Sequence, residues 1–410
     1  MLTVQQTFDR PQVEDVAATV REELSQSSLV NVVRQGDRVA ITAGSRGITD
    51  IKTILRTAVA FFKECGAVPF VVPSMGSHGG ATAAGQLKVL AGLGLTEESL
   101  DCPIDSNMQT VLLETTADGI PVYFDQVASQ ADHVLVCGRV KLHTGFAGVY
   151  QSGLMKMLLN GLGNHQGAQT YHHAAVAIPF DQIFQTVCPL VLSKAPIRAG
   201  LAIVENAYGE TAGIYAVESC DFDRRQQELL CESRRLMARL PLDQIDILLI
   251  DEIGKSISGT GMDTNIVGRK LQDHAAGPRE TPAVRTIAIR SVCGGNGNGI
   301  GLAEFCTSRA IAQTNWEATR INGLTAMHVA ATMVPVECPT DREMLDRSLQ
   351  TIGLRKPEDA KLVWIKNTKE LETIVCSTAC LEELQNCPGV TPQADQRPLP
   401  FDGEGNLPYG

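Results

Sequence analysis

The sequence lacks several features that would assign it to common protein classes. No window approaches eighteen consecutive apolar residues, so no membrane-spanning helix is predicted. The first residues, MLTVQQTFDRPQVEDV, lack the basic region and apolar run of a signal peptide. The twelve cysteines include no CxxC pair, which removes the usual spacing of zinc and iron–sulfur sites. In a large chain without an export signal, such cysteines indicate reduced thiols, and we expect a cytoplasmic protein.

Positive charge is also scarce. Asp and Glu outnumber Lys and Arg by 46 to 35, giving a formal net charge of −11. This balance argues against binding to nucleic acid or to an anionic membrane. An anionic small molecule remains compatible with it, because a few local cations and backbone amides are enough to hold one. The apolar content of 44% is typical of a globular protein with a substantial core.

Apolar runs alternate with helical patterns along most of the chain. Continuous apolar strands separated by helices are typical of parallel sheets covered on both faces. We therefore predict an α/β fold of two domains with largely parallel sheets flanked by helices, and an active site in the interdomain cleft. The predicted parts are an N-terminal catalytic domain at 1–240, a C-terminal domain closing over the site at 241–387, and an irregular tail at 388–410. The predicted strands cover 37–44, 68–75, 131–143, 200–207, 244–254, 283–292 and 361–367, and the predicted helices cover 50–67, 81–94, 221–240 and 302–315.

Polar residues follow three of the predicted strands. Arg46 follows the first strand, His78 lies in the glycine-rich PSMGSHGG after the second, and His143 closes the strand at 131–143. Ligands of open parallel sheets bind beyond the carboxyl ends of the strands. An arginine there suits a carboxylate or phosphate, and two histidines on opposite sides of a ligand can act as acid and base. The alternative is that Arg46 is a surface arginine and that each histidine is structural.

A second group of polar residues lies in HTGFAGVYQSGLMKMLLNGLGNHQGAQTYHH, residues 143–173. Lys156 is the only charged residue between Gly145 and Thr170, inside a predicted helix, and His172 and His173 follow it. A buried lysine loses its proton easily and becomes a nucleophile, although a lysine in such a helix can also extend to solvent. Neutral imidazole is a common ligand of nickel, zinc or copper. Since no carboxylate or thiolate lies nearby in sequence, another group would have to complete a metal site.

These motifs together resemble the nickel-pincer nucleotide-dependent lactate racemase family. The similarity includes "SR" after the first strand, "GSHGG" after the second, HTGFAGVYQSGLMK, and a histidine sixteen residues after the lysine. It extends over about residues 10 to 370 and is most specific from His143 to His172. The resemblance implies a nickel-pincer nucleotide cofactor, pyridinium-3-thioamide-5-thiocarboxylic acid mononucleotide with nickel.

The resemblance also implies a role for each site residue. Lys156 matches the lysine that binds the cofactor covalently, and His172 matches the nickel ligand, with His173 or His165 as alternatives. His78 and His143 match the two acid–base histidines that face the substrate from opposite sides, and Arg46 matches the arginine that contacts it. The remaining candidates are Ser45, Gly79, Gly80, Gly295 and Asn298 for cofactor binding, and Lys255, Arg269 and Lys270 for substrate binding.

The implied activity is racemisation or epimerisation at C2 of a 2-hydroxy acid by reversible hydride transfer to the cofactor. The loop around Arg46, the thirteen-residue interval from His143 to Lys156, and the segment at 254–270 differ from the family prototype. They favour a longer 2-hydroxy acid or a sugar acid over lactate. The implied partners are this small molecule and the enzymes that make the cofactor.

Two alternatives belong to other functional classes. A zinc- or nickel-dependent hydrolase would use His78, His143 and His172 as direct ligands. A non-catalytic protein that binds or delivers the cofactor would tolerate the loss of His78 and His143. The glycine run CGGNGNGIG at 293–301 does not have the GxGxxG spacing of a dinucleotide site, and it predicts a tight loop or backbone nest. Asp251 and Glu252 end a predicted strand, where a salt bridge or a helix cap is expected.

Overall fold

The computed structural model describes residues 1–278 and 280–408. Its strands, numbered along the chain, are β1 (Leu2–Gln6), β2 (Arg38–Ala43), β3 (Val68–Pro73), β4 (Thr110–Thr115), β5 (Pro121–Asp125), β6 (His133–Arg139), β7 (Ile197–Glu205), β8 (Thr211–Glu218), β9 (Gln244–Ile253), β10 (Ala283–Val292), β11 (Phe305–Thr307), β12 (Val336–Cys338), β13 (Leu362–Ile365), β14 (Thr373–Cys376) and β15 (Val390–Pro392).

The helices connect these strands and cover the sheets. In chain order they are α1 (Val16–Gln26), α2 (Leu29–Val32), α3 (Ile51–Glu64), α4 (Ala83–Gly92), α5 (Glu97–Leu100), α6 (Gln126–Ser129), α7 (Gly153–Lys156), α8 (Asn164–Ala174), α9 (Phe180–Lys194), α10 (Phe222–Leu236), α11 (Thr264–Val267), α12 (Ser308–Gln313), α13 (Trp316–Thr325), α14 (Asp341–Leu349) and α15 (Leu381–Gln385). A π-helical turn, Met157–Gly161, follows α7 directly. None of the described helices has the length and apolar character needed to cross a lipid bilayer.

The chain divides into two compact units. The first contains residues 10–143 and 147–237. Its five-stranded sheet has the order β3-β2-β6-β7-β8, in which only β8 is antiparallel to its neighbour. The strands are buried along most of their length, and the inner faces of α1 and α3 pack against them in one apolar core. A separate hairpin is formed by β4 and β5.

The second unit contains residues 1–9, 144–146 and 238–410. Its eight-stranded sheet has the order β12-β11-β10-β9-β13-β14-β1-β15. The five strands from β12 to β13 are mutually parallel, whereas β14, β1 and β15 are each antiparallel to their neighbours. Both units therefore confirm the predicted α/β class with largely parallel sheets flanked by helices. The position of an active site in an interdomain cleft stays a prediction.

The domain limits differ from the predicted ones in two places. The predicted N-terminal domain began at residue 1, but β1 pairs with β14 and β15 in the sheet of the second unit. The predicted tail at 388–410 contains β15, and the backbone carbonyls of Leu407 and Pro408 accept hydrogen bonds from Arg290. Partners for these two segments lie hundreds of residues away in sequence, so local patterns gave no sign of them. The predicted division at 240 lies close to the observed one at Met237.

One other local prediction was wrong. The predicted helix at 302–315 is a short strand, β11, followed by α12, and Thr307 caps that helix by accepting a hydrogen bond from the amide of Ala310 at 3.2 Å. Elsewhere in this unit, Cys376 ends β14 and Cys380 lies in the turn that follows. Both cysteines are fully buried, and all twelve cysteines of the chain are free thiols.

Candidate functional site

The three predicted strand-end groups follow adjacent parallel strands. The sheet order β3-β2-β6 places the carboxyl ends of these strands side by side at one edge. Ser45 and Arg46 lie in the loop after β2, and His78 lies in the loop after β3. His143 lies four residues beyond the end of β6, because that strand ends at Arg139 and not at residue 143. One edge of the sheet thus carries all three loops.

Ser45 and His78 are in direct contact. The Ser45 Oγ is hydrogen bonded to Nδ1 of His78. A hydroxyl group can donate to an unprotonated Nδ1 and accept from a protonated one, so this bond is compatible with both protonation states of the ring. The bond occupies Nδ1 of the ring. The imidazole is exposed, as an acid or base facing a substrate would have to be.

The two glycines after His78 have different surroundings. A Cβ on Gly79 would lie 2.5 Å from the carbonyl carbon of Gly85, so the first glycine is required for the chain to pass the start of α4. Gly80 has no atom within 4 Å of the position of a Cβ and is exposed. Of the two predicted cofactor contacts, Gly80 therefore has the open position, and the role of both stays a prediction.

The segment that carries Lys156 packs closely on the sheet. A Cβ on Gly138 in β6 would lie 2.9 Å from Cγ of Met157, so only glycine lets the π-helical turn approach the strand this far. The amide of Leu154 donates to the buried side chain of Gln226 at 2.9 Å, which ties α7 to α10. Extra residues in a helical turn are frequent at functional sites because they redirect the neighbouring side chains. The predicted helix was correct here, but its π-helical turn was not predicted.

Lys156 is half-buried beside other cations. Desolvation by burial, together with the positive charge of Arg46, lowers the pKa of its amine to about 8. The pKa of Arg46 is lowered as well, by desolvation and by Arg139. A lysine with this pKa has a neutral, nucleophilic fraction near pH 7 that an exposed lysine lacks. The structure thus places Arg46 close enough to Lys156 for their charges to interact.

His172, in α8, is a histidine whose pKa is affected by the charge of Lys156. Its pKa is lowered by burial, then by the charges of Lys156 and His173, so the ring is biased toward the neutral form that ligates metals. The ring lies 5.8 Å from that of Phe180, measured between centroids. His165 and His173 are exposed on the same helix. Burial and the link to Lys156 distinguish His172 from the two alternatives.

Hydrogen bonds from side chains hold the backbone of the loop that contains His143. Its amide donates to Oε1 of the buried Gln151 at 3.0 Å, and Nε2 of the same glutamine donates to the carbonyl of Gly148 at 2.9 Å. Asp181 accepts from the amide of Val149 at 3.0 Å. These bonds determine the course of the backbone at residues 143–151.

Residues that the sequence reasoning did not select also shape this edge. Arg139 ends β6, acts electrostatically on Arg46 and forms an ion pair with Glu205. Glu205 also accepts a hydrogen bond from the amide of Thr49 at 2.9 Å. The rule that selected Arg46, a charge at the carboxyl end of a buried strand, missed Arg139 because the predicted strand continued to residue 143, whereas the observed strand ends at Arg139. Gln151 had no such signal, because only the folded loop brings it to His143.

In the second unit, Arg269 has several partners within its own chain, and its predicted contact with the substrate stays a prediction. Its side chain is buried, forms an ion pair with Glu304 at 3.1 Å and donates to the backbone carbonyls of Val284 and Arg285 at 2.9 and 3.2 Å. A guanidinium used in this way holds its own segment to β10. Lys255 is exposed, with Nζ 3.1 Å from Oδ1 of Asn322.

Lys270 is half-buried, with Nζ 3.1 Å from Oδ1 of Asn265. Like Lys255, it contacts a neutral amide oxygen, and both lysines stay candidate substrate contacts. Asp251, by contrast, forms the expected salt bridge, with Arg290.

The glycine run at 293–301 forms a tight loop, as predicted. A Cβ on Gly299 would lie 1.8 Å from the carbonyl oxygen of Thr260, so two backbone segments touch there. The side chain of Asn298 is buried and donates to the carbonyl of Gly259 at 3.0 Å. Gly295 accepts a hydrogen bond from the amide of Asn315 at 2.7 Å. These contacts serve the local fold, and a cofactor contact of Gly295 or Asn298 stays a prediction.

The donor set of the first unit suits an anionic group that brings its own metal ligands. Arg46, Arg139 and Lys156 bring positive charge to this part of a chain of net charge −11, and His172 adds an imidazole biased toward its neutral form. Within residues 1–278 and 280–408, no three His, Cys, Asp or Glu side chains converge as ligands of a metal ion. A single histidine beside a reactive lysine fits a metal carried by a covalently attached ligand better than it fits a metal held by protein alone.

Two comparisons with known proteins found a match. Residues 2–181 match a family model described as the lactate racemase N-terminal domain. Among solved structures, the lactate racemase apoprotein from Thermoanaerobacterium thermosaccharolyticum matches with a TM-score of 0.50 and 12% sequence identity, covering 86% of this chain and 90% of that one. At this identity the structural match establishes similarity of fold. No curated protein matches the sequence significantly.

Proposed function

We propose, from the match of residues 2–181 to the lactate racemase N-terminal domain, that this chain is a racemase or epimerase acting at C2 of a 2-hydroxy acid. The observation that carries the proposal is the arrangement of Lys156, Arg46 and His172. A half-buried amine lies within electrostatic reach of an arginine and of a histidine biased toward its neutral form. This combination suits covalent attachment of an anionic cofactor and ligation of its metal.

The proposed cofactor is the nickel-pincer nucleotide. Lys156 would hold it through a covalent bond, and His172 would ligate its nickel. When bound, this group would supply the acceptor and donor for the hydrogen of C2 together with its electron pair, which is the difficult part of the reaction. The positive charge around Arg46 and Arg139 would attract the anionic cofactor and the carboxylate of the substrate.

His78 and His143 would handle the proton of the substrate hydroxyl. One imidazole would take the hydroxyl proton from one enantiomer, and the other imidazole would do so for its mirror image. A reaction that runs in both directions therefore needs two imidazoles with pKa values near neutral pH. Ser45 would keep Nδ1 of His78 hydrogen bonded in both protonation states of the ring. Arg46 is exposed and would contact the substrate carboxylate through its planar set of donors.

The experiment that tests the proposal is an intact mass spectrum of the protein produced with nickel and the cofactor-making enzymes. We expect a covalent mass increase on the wild type and nickel in a parallel metal assay. Lys156→Ala should show neither the adduct nor the nickel. Lys194→Ala, an exposed lysine of α9, is the matched control and should carry the adduct.

A screen of 2-hydroxy acids and sugar acids for exchange of the C2 configuration completes the test. His78→Ala and His143→Ala should keep the adduct and lose exchange. A protein that lacks the adduct, made beside a racemase that acquires it, would contradict the cofactor assignment. Retained exchange in both histidine variants would contradict the acid–base roles, and an adduct without any exchange would favour the cofactor-binding alternative.

A further inference from the structure

A stretch of the second unit combines apolar composition with exposure. Residues 321–336, INGLTAMHVAATMVPV, contain no Asp, Glu, Lys or Arg in a chain in which one residue in five is charged. The stretch includes the end of α13, the following loop and the first residue of β12. We call its outward side chains the apolar surface, which consists of Ile321, Leu324, Met327, Val329, Met333, Val334 and Val336.

These seven side chains are all half-exposed or more. They range from 50% exposure at Val336 to 64% at Leu324, and they make up seven of the sixteen large hydrophobic residues that are exposed in the described chain. Together they expose on the order of 500 Å² of apolar surface. A homodimer interface of standard size buries about 800 Å² per partner, of which roughly two thirds is apolar. The apolar surface therefore has about the size that a stable dimer needs.

Met327 occupies a backbone position that usually belongs to glycine. Helix α13 ends in a Schellman motif, in which His328 N donates to the carbonyl of Gly323 at 2.9 Å and Met327 N to that of Leu324 at 3.2 Å. Met327 has φ of 54°, in the left-handed region that disfavours a large side chain. A methionine that is 63% exposed there adds backbone strain and buries little apolar area. Burial of this side chain against a partner would offset the backbone strain.

Part of the apolar surface lines a groove. Met333, Val334 and Val336, with Ala303 and Phe305, line this groove of about 560 Å³, and Arg285, Glu304 and His274 line it as well. Ile321, Leu324 and Met327 precede the groove residues in sequence, and Gly323 between them packs closely on Thr332. In a two-fold symmetric contact the same surface of both copies meets, so exposed apolar side chains of one copy can enter the groove of the other.

We propose that the apolar surface joins two copies of this chain in a two-fold symmetric dimer. A second copy suits this surface because its seven outward side chains carry no charge, and the one ionisable side chain of the stretch, His328, pairs with Asp273 of the same chain. The edge strand β12 is only three residues long and follows Pro335, so side-chain packing and not continuation of the sheet forms the contact. This inference does not depend on the proposed catalytic function.

Sedimentation velocity of the full chain, measured over a series of protein concentrations, tests the proposal. We expect the wild type to sediment as a dimer at micromolar concentration. Leu324→Asp should sediment as a monomer, because a carboxylate in a closed apolar contact would be desolvated without a partner. Leu354→Asp is the matched control, since Leu354 is fully exposed outside the apolar surface, and it should remain a dimer.

Met327→Gly separates dimer loss from misfolding. Glycine suits the left-handed position, so this variant should unfold at the same or a higher denaturant concentration than Leu324→Asp while its dimer dissociation constant rises at least tenfold. A wild type that is monomeric throughout the concentration series would overturn the proposal and leave the surface to a different partner. Dimers that persist unchanged in both Leu324→Asp and Met327→Gly would overturn it as well.

Discussion

Lys156 has an energetic cost that a lysine on the protein surface does not have. Burial and Arg46 lower its pKa from 10.5 to about 8, so the folded protein binds its proton less tightly than the unfolded chain does. Between these two values the unfolded state holds more protons, and stability from this group rises with pH. Below about pH 8 the amine is protonated in both states, and the full free-energy cost of burying its charge is present. Groups that destabilise the fold in this way are typical of functional sites.

We expect Lys156→Met to stabilise the protein without cofactor. At pH 7 the gain in the free energy of unfolding should be on the order of 2 kcal/mol, and it should vanish above about pH 10.5. Urea unfolding of the wild type and the variant at both pH values measures it. Lys194→Met, on the exposed side of α9, should change stability little at either pH. Equal stability of Lys156→Met and wild type at pH 7 would contradict the burial cost.

At the scale of elements, the position of the reactive lysine depends on how α7 and the π-helical turn approach the sheet. The turn contacts β6 at Gly138, and α7 is tied to α10 through Gln226. Strand β6 also leads into the loop of His143. The same strand therefore supports two parts of the candidate site, and a change on its face should disturb the turn.

Gly138→Ala should lower the free energy of unfolding by about 1–3 kcal/mol, the usual cost of overpacking, because its Cβ would lie 2.9 Å from Cγ of Met157. It should also slow covalent loading at Lys156, followed by intact mass against time. Gly92→Ala is the control: it lies in α4 with no atom within 4 Å of its Cβ position, and it should keep or raise stability. Loading at the wild-type rate in Gly138→Ala would show that the turn adapts freely.

At the scale of the whole molecule, a buried ion network contacts the last part of the described chain. Arg290 in β10 is completely buried and pairs with Asp251 and with Asp341, the latter at 2.9 Å. It also donates to the backbone carbonyls of Leu407 and Pro408, so the last part of the described chain returns to the middle of the sheet. Trp364 donates to Asp251 at 2.6 Å.

Arg290→Met should lower the free energy of unfolding by about 3–5 kcal/mol, because it leaves the buried carboxylate of Asp251 without its paired cation and that of Asp341 with Arg309 alone. Chemical denaturation followed by tryptophan fluorescence measures this loss, since Trp364 lies in the network. The control is Arg355→Met, which removes a partly exposed ion pair with Asp246 and should cost less than about 1 kcal/mol. A loss of similar size in both variants would mean that burial adds nothing to the network.

The sequence alone determined the α/β class, because buried parallel strands require continuous apolar runs and amphipathic helices between them. It also located Arg46, His78, Lys156 and His172, since polar residues in loops after such strands and a lone lysine in an uncharged segment are local features. The resemblance to a family added roles for these residues. The same local reasoning also produced an error, at the helix predicted over 302–315.

Tertiary structure decided what depends on partners distant in sequence. Residues 2–6 pair with strands more than 360 residues away. Arg269 forms an ion pair with Glu304 and donates to two backbone carbonyls. Gln151 reaches the backbone of His143 only once the loop has folded. Tertiary structure also decided that Met327 and its neighbours point outward, which an apolar stretch by itself would not suggest. Composition and periodicity record whether a side chain prefers burial, whereas its actual neighbours follow from the pairing of strands and the closure of loops.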